Sequence, residues 1–395
     1  MPAMSEKKNL LLICLDTLRA DVAYGGLPNL DRLRARGTSF TNAIAAAPLT
    51  PVSHASVFTG LYPSRHRLRH LLKERLEVDS PTLAELASKA RYRTGAVVSC
   101  PGMNSWYKFD RGFSHYDDEI PLLADGRNAV DLIDVKLRGT ALKRAEVVAE
   151  RSLEWLAAHR HEPFCFFMHF FDTHWPYEPP TWFAPAGVNP YEGEAHYTDH
   201  YLGMVLDQVE KWGLFENTLV VVFSDHGEDL AGWYPNDHAG VELGHPEEEG
   251  HGCLLFDATQ RVPLIVVDPD HVAGTTTAPL ASIDAQVRLV DIMPTAAEML
   301  HLEQPRDLDG ASLVPLLRGR DQRNRAAYFE TYYREEQAGS PTGVPGLGPL
   351  HGLRIDNRFK LITDVKTGSM ELYDLTSDPN ESAPQLFGAH HGTAP

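Results

Sequence analysis

Apolar positions along this chain fall into short unbroken runs, separated by stretches with helical spacing. Three of the runs end in an aspartate: 10–15 before Asp16, 164–171 before Asp172, and 218–224 before Asp225. Runs of this length without polar alternation predict strands buried on both faces of a parallel sheet. Residues 94–99 and 261–267 read the same way. Between the runs, helices are predicted over 29–36, stopped by Gly37, and over 53–59, ended by Gly60. Another is predicted over 82–90, with Ser80 as N-cap and Pro81 at the first helical position. Residues 141–158, 197–212, 289–300 and 312–317 complete the set. Strand and helix in alternation predict an α/β fold with a mostly parallel central sheet and helices on both faces.

Two segments break this rhythm. Residues 231–250 carry Pro, Asn, His238, His245 and the run Glu247-Glu248-Glu249, directly after Asp225-His226. They read as a solvated loop placed to influence substrate choice. Residues 338–350 are rich in Gly and Pro. They divide the chain into a main body, 1–337, and a C-terminal part, 338–395. In the latter, short strand patterns over 353–375 predict a small antiparallel sheet subdomain followed by a tail.

Parallel sheets bind ligands at the carboxyl ends of their strands. Asp16, Asp172 and Asp225 are delivered there, with His174 and His226 close behind two of them. Three carboxylates and two imidazoles at one edge predict a metal site, against the simpler reading in which each Asp caps the next turn. Thr50 lies just before a predicted helix, where free N–H groups and the dipole favour an anion. A threonine hydroxyl is a poor nucleophile until a base or metal lowers its pKa. A cation on Asp16, Asp225 and His226 would do so and would polarise a substrate oxygen. Ser53 reads as a plain N-cap.

Composition narrows the partners. The 395 residues are 43% apolar and carry a formal charge of −18. The core is sizeable, and the charge repels polyanions, so nucleic acid is not an expected partner. Cys14, Cys100, Cys165 and Cys253 show no CxxC spacing, hence no disulfide framework or structural zinc motif. The apolar run at 10–15 leads straight into Asp16 and Arg19 without a small-residue cleavage site, so it reads as the first strand. No apolar stretch approaches the ~20 residues of a membrane helix. A soluble cytoplasmic protein with no membrane partner is the expectation.

The motifs also resemble a family. Leu15-Asp16-Thr17-Leu18-Arg19-Ala20-Asp21, Thr50 through Gly60 with Leu61-Tyr62-Pro63-Ser64-Arg65-His66, and Phe171-Asp172-Thr173-His174-Trp175-Pro176 open the likeness. Phe223-Ser224-Asp225-His226-Gly227-Glu228 is its most specific short segment. Gly250-His251-Gly252, Arg261-Val262-Pro263-Leu264, Asp291-Ile292-Met293-Pro294-Thr295, Leu308-Asp309-Gly310, Lys360-Leu361-Ile362 and Leu372-Tyr373-Asp374-Leu375 follow in order. By number and order, these segments resemble the sulfatase branch of the alkaline phosphatase superfamily over nearly the whole chain.

The resemblance implies an alkaline-phosphatase-like fold and a divalent cation surrounded by Asp16, Thr50, Asp225 and His226. It implies that His174 and His251 face the substrate and that one of them protonates the leaving oxygen. A second cation on Asp172, His174 and His251 is a further expectation, and His54 is expected to touch substrate. The departures direct the function. Sulfatases of this branch convert a cysteine or serine to formylglycine; the matching residue here is Thr50, which cannot become that aldehyde. The usual second aspartate is Thr17, the usual arginine is His54, and the sulfate-holding Lys and His give way to Ser99-Cys100-Pro101-Gly102-Met103. Superfamily members with a threonine nucleophile act mostly on phosphorus. The expected activity is therefore metal-dependent hydrolysis of small-molecule phosphate or phosphonate esters. Sulfate-ester hydrolysis without formylglycine, phosphoryl-group transfer and a non-catalytic role are the alternatives. An N- and O-rich donor set favours Zn²⁺ or Mn²⁺ over Ca²⁺ or Mg²⁺.

Overall fold

A computed structural model of the chain describes residues 7–71, 73–120, 143–238, 250–276, 281–337 and 348–388. The main sheet is built from β1 (Asn9–Leu15), β2 (Thr38–Ile44), β3 (Arg93–Val97), β4 (His115–Asp117), β5 (Phe164–Phe170), β6 (Thr218–Phe223), β7 (Arg261–Val267), β8 (Ser282–Ile283) and β9 (Val287–Arg288). Its order is β4-β3-β5-β1-β6-β7-β2-β8, with β9 also on β2. Every pairing from β4 to β6 is parallel. β7 runs antiparallel to both β6 and β2. All residues of β1, β5 and β6 are buried, which is why their sequences show no alternation.

Alternate residues of β1 feed two cores. Leu10, Leu12 and Cys14 face a layer that includes helices Thr50–Thr59, Leu83–Lys89 and Ile292–Met299. Leu11, Ile13 and Leu15 face helices Pro28–Arg36, Ala145–His159 and Pro190–Lys211. The register pairs Leu15 with Phe170 and Cys14 with Phe223, so Asp16, Asp172 and Asp225 all leave the sheet at one edge.

Several helix starts differ from the sequence reading, three of them for a clear local reason. The helix expected at 53 begins at Thr50, because Pro51 is compatible with a first turn and Ser53 N–H already bonds to the Leu49 carbonyl at 2.9 Å. Ser53 is therefore inside the helix and not its cap. Thr82, not Ser80, caps the helix Leu83–Lys89, in a capping box with Glu85. Pro190–Lys211 starts upstream of 197, capped by Asn189 with Pro190 in its first turn.

The C-terminal sheet is antiparallel throughout: β10 (Ala327–Thr331), β11 (Leu350–Ile355), β12 (Phe359–Asp364), β13 (Met370–Asp374) and β14 (Gln385–Phe387). Its first strand precedes residue 338. Phe329, Ile362 and Tyr373 pack with Ile44, Leu254 and Phe256. Buried Lys360 joins the two parts through Asp257 at 3.0 Å and Glu381 at 2.6 Å. Among the described residues, no helix is long and apolar enough to cross a membrane.

Candidate active site

β1 and β6 end side by side and bring Asp16, Asp225 and His226 together, all fully buried. One potential ligand atom from each lies within 4.8 Å of the others. Oδ1 of Asp225 accepts the backbone N–H groups of Thr17 at 3.2 Å and His226 at 3.0 Å. Oδ2 of Asp225 is buried without a hydrogen-bond partner. His226 donates Nδ1–H to the Gly227 carbonyl at 3.0 Å, which leaves the Nε2 lone pair turned to the site. An orphaned carboxylate oxygen, a second carboxylate and an imidazole lone pair fit a divalent cation.

The charges of the site report the same fit. Burial, then the charge of Asp16, pushes the Asp225 carboxyl up to about 7. Burial works against both Asp16 and His226. The His169 hydrogen bond nonetheless holds Asp16 below the usual carboxylate range, and Asp225 and Asp16 hold His226 above its ordinary value. Two buried carboxylates repel unless a cation lies between them.

Thr50 is the first residue of its helix, and its hydroxyl lies 3.3 Å from His226 Nε2. The helix is locked to the sheet edge by Ser53, whose hydroxyl donates to the Asp225 carbonyl at 2.7 Å. Thr50 thus meets the Asp16–Asp225–His226 cluster through His226. Gly102, from the loop after β3, lies against Thr50 and Pro51 from the other side.

His174 and His251 line the same face. Their ring centroids are 4.8 Å apart, and His251 lies 4.3 Å from the His226 ring. His174 stacks on Phe171 and donates Nδ1–H to the Trp175 carbonyl at 2.6 Å. His251 meets Oε1 of buried Glu228 at 2.8 Å through Nδ1. Burial, then the neighbouring imidazole, pushes His174 down to about 4, and burial with His226 pushes His251 well down. Both shifts favour the neutral rings in the free site. Burial pushes Glu228 up to about 7.

Asp172 and His54 are placed differently from the sequence expectation. Asp172 turns to Arg144 at 2.9 Å and to the Ala145 N–H at 3.2 Å, and Arg144 also holds buried Glu194. Burial raises Asp172 to about 6 despite Arg144. The metal-competent groups among the described residues do not include Asp172. His54, expected at the substrate, is fully buried behind Thr50, with Nδ1 2.8 Å from the Thr50 carbonyl. It packs edge-on against Phe58 and Phe167. His238 is buried and contacts the Asn380 carbonyl, while His245 and Glu247-Glu248-Glu249 lie outside the described residues. After β3, Trp106 is exposed under Arg75 and Tyr107 is buried in the core.

His169 escaped the sequence reading. Its Nε2 lies 3.0 Å from Asp16 Oδ2 and its Nδ1 3.1 Å from Ser99 Oγ. The available signal was a lone imidazole inside the apolar run 164–171, on the face shared with Phe167 and Phe171. Glu228 and its bond to His251 were equally unforeseen.

Comparison with known proteins agrees with this architecture. The sulfatase family model matches residues 8–302, and the model described as N-sulphoglucosamine sulphohydrolase, C-terminal, matches 252–391. An arylsulfatase of Clostridium perfringens is 24% identical, covering 95% of this chain and 89% of its own. A delta 4,5-hexuronate-2-O-sulfatase of Bacteroides thetaiotaomicron is 25% identical, covering 95% and 84%. The solved phosphonate monoester hydrolase of Agrobacterium radiobacter superposes with a TM-score of 0.72 at 20% identity, over 96% of this chain and 91% of that one. A structure in complex with its substrate D-glucosamine-2-N,6-O-disulfate superposes with a TM-score of 0.73 at 18% identity, over 96% and 93%. The chain belongs to the sulfatase family, among the hydrolases of the alkaline phosphatase superfamily.

Proposed function

We propose that this protein is a metal-dependent hydrolase of small-molecule phosphate or phosphonate esters, with Thr50 as its nucleophile. One observation carries the reading: the Thr50 hydroxyl stands at a helix start, 3.3 Å from Nε2 of His226, an imidazole grouped with two buried carboxylates. Threonine cannot be converted to formylglycine, so its own oxygen must attack. Asp16, Asp225 and His226 would hold the cation, with Thr50 beside it. Such a cation, Zn²⁺ or Mn²⁺ by its donors, lowers the pKa of a hydroxyl and stabilises charge on a substrate oxygen. The Thr50 oxygen, its proton lost to solvent, attacks phosphorus in line as the bond from phosphorus to the leaving oxygen breaks; water then attacks phosphorus and breaks its bond to Thr50, freeing the phosphate or phosphonate. His174 and His251, lining the same face, orient the ester and pass a proton to the leaving oxygen.

The relatives support both this reading and a rival. Phosphonate monoester hydrolases share the fold, and the curated relatives cited above are named as sulfatases. The rival is sulfate-ester hydrolysis by unmodified Thr50. Aryl phosphate mono- and diesters, phosphonate esters and sulfate esters should be screened with Zn²⁺, Mn²⁺, Mg²⁺ and Ca²⁺, beside Thr50→Ala. The expected result is turnover of phosphorus esters that falls at least about 10³-fold in Thr50→Ala. Activity that survives the substitution removes Thr50 from its role, and a preference for sulfate esters selects the rival.

A further inference from the structure

We propose that Cys14, His54 and His169 form a second, inner site for a borderline-soft divalent cation such as Zn²⁺, one strand step below the Asp16–Asp225–His226 cluster. The three residues come from three elements. Cys14 and His169 are register partners on β1 and β5 and face the same layer. The helix Thr50–Thr59 crosses that layer and lowers His54 onto them, its ring centroid 5.1 Å from that of His169. One ligand atom from each residue lies within 4.8 Å of the others, and all three residues are fully buried. In a tetrahedral zinc shell, bonds of about 2.0–2.3 Å place ligand atoms roughly 3.5 Å apart. Side-chain rotations of about an ångström close the shell.

The distinguishing observation is on His54. Its Nδ1 lies 2.8 Å from the Thr50 carbonyl and so carries the proton. Nε2 is then a lone pair, and it is buried without a hydrogen-bond partner. A satisfied core histidine would have both nitrogens matched; an unmatched buried acceptor costs about 1–3 kcal/mol. A cation removes that cost. Further donors stand beside the site, since Cys100, Asp16 and His169 form a second group within the same distance.

Thiolate and imidazole donors suit Zn²⁺ and exclude the hard cations that carboxylates attract. Binding releases the Cys14 thiol proton to solvent. The inner cation would act through its ligands. To ligate and still orient Asp16 through Nε2 at 3.0 Å, His169 would release Nδ1 from Ser99 Oγ, now at 3.1 Å; His54 holds the Thr50 carbonyl, its Nδ1 3.4 Å from Asp225 Oδ2. It is a positioning element beneath the reacting groups, and it does not depend on Thr50 being the nucleophile.

The test is Co²⁺ substitution of the full-length protein, with metal content measured alongside the absorption spectrum. The wild type is expected to show thiolate-to-Co²⁺ charge-transfer absorption and to bind one more equivalent than Cys14→Ala, which loses the band. Asp225→Asn should lose the outer equivalent yet keep the band. His54→Gln provides a second ligand deletion with a side chain of similar bulk. A wild-type Co²⁺ protein without the band, or Cys14→Ala with undiminished metal content, overturns the inner site and marks the cluster as packed core. Esterase activity surviving in Thr50→Ala leaves all these readouts unchanged, so the two proposals fail separately.

Discussion

The backbone N–H of Thr17 reaches Oδ1 of Asp225 across 3.2 Å, from a left-handed φ of 58°. A β-branched residue avoids this conformation, which costs about 1–3 kcal/mol and gathers at functional sites. Here the backbone bond to Asp225 and the Thr17 hydroxyl bond to Asp16 Oδ1 at 2.7 Å hold it in place. Thr17→Asp puts a third carboxylate beside Asp16 and Asp225, in a residue type that tolerates positive φ. The expected outcome is an affinity shift toward Ca²⁺ and Mg²⁺ relative to Zn²⁺, since hard cations follow the number of oxygen ligands. Metal titrations of the two proteins decide it, and unchanged relative affinities exclude a ligand role for position 17.

Removal of the cation should expose the repulsion between Asp16 and Asp225. The Asp225 carboxyl is raised, so its favourable contribution is present below about pH 4 and is lost as pH rises through about 7. Above pH 7, the metal-free native state therefore carries a buried carboxylate beside another. Asp225→Asn removes that charge. At pH 8 in chelator, the variant should melt at a higher temperature than wild type. With cation added the order should reverse, because wild type gains about 2.7 kcal/mol at 100 times Kd and the variant gains less. Identical melting in chelator would place no repulsion at this pair.

The strands that build the site were legible because they are buried on both faces and so could not alternate: β1, β5 and β6 are unbroken apolar runs, each followed shortly by its Asp. The same feature concealed His169, which occupies one position of such a run and acts only through tertiary neighbours, Asp16 and Ser99. The pattern starts the next helix at Ser53, while the structure starts it at Thr50, with Pro51 fitted into the first turn. Asp172 looked equivalent to the other two aspartates. It differs through Arg144 and Glu194, whose approach depends on how helices Ala145–His159 and Pro190–Lys211 pack and not on local pattern. His54 looked accessible one residue past Ser53, but the helix turns it inward onto Phe58 and Phe167.

Acid should unfold the protein through His66 by a route unrelated to the metal. Its Nδ1 accepts the Leu68 N–H at 3.2 Å, so Nε2–H faces Ser56 Oγ at 3.0 Å. Burial, then the charge of Arg69, pushes the imidazole down to about 3. A histidine depressed on folding contributes stability that is present above the unfolded pKa of about 6.5 and is lost as pH falls toward 3. Each pH unit in that window should remove about 1.4 kcal/mol for this group. Urea unfolding of metal-free protein at several pH values from 7.5 to 5, compared with His66→Gln, reads the difference. Equal slopes for the two proteins would show that His66 is free to protonate in place.

Gly227 is expected to set how firmly the metal ligands are held. It lies between His226 and Glu228, and its N–H bonds to the Thr259 carbonyl at 2.8 Å. A Cβ built there would stand 2.1 Å from the Ala258 carbonyl oxygen, a backbone atom with no rotation to offer. Gly227→Ala must therefore separate the Asp225–Glu228 turn from the Ala258–Thr259 backbone by about an ångström. Overpacking of this kind costs about 1–3 kcal/mol, which a domain of this size tolerates. The turn carries the two proposed metal ligands Asp225 and His226 and the partner of His251, and a shift of about 1 Å in reacting groups costs about 100-fold in rate. The variant should stay folded by circular dichroism, bind the cation more weakly, and lose roughly two orders of magnitude in kcat with a smaller change in KM. Full activity in the alanine variant would mean that the turn relaxes outward without moving Asp225 and His226.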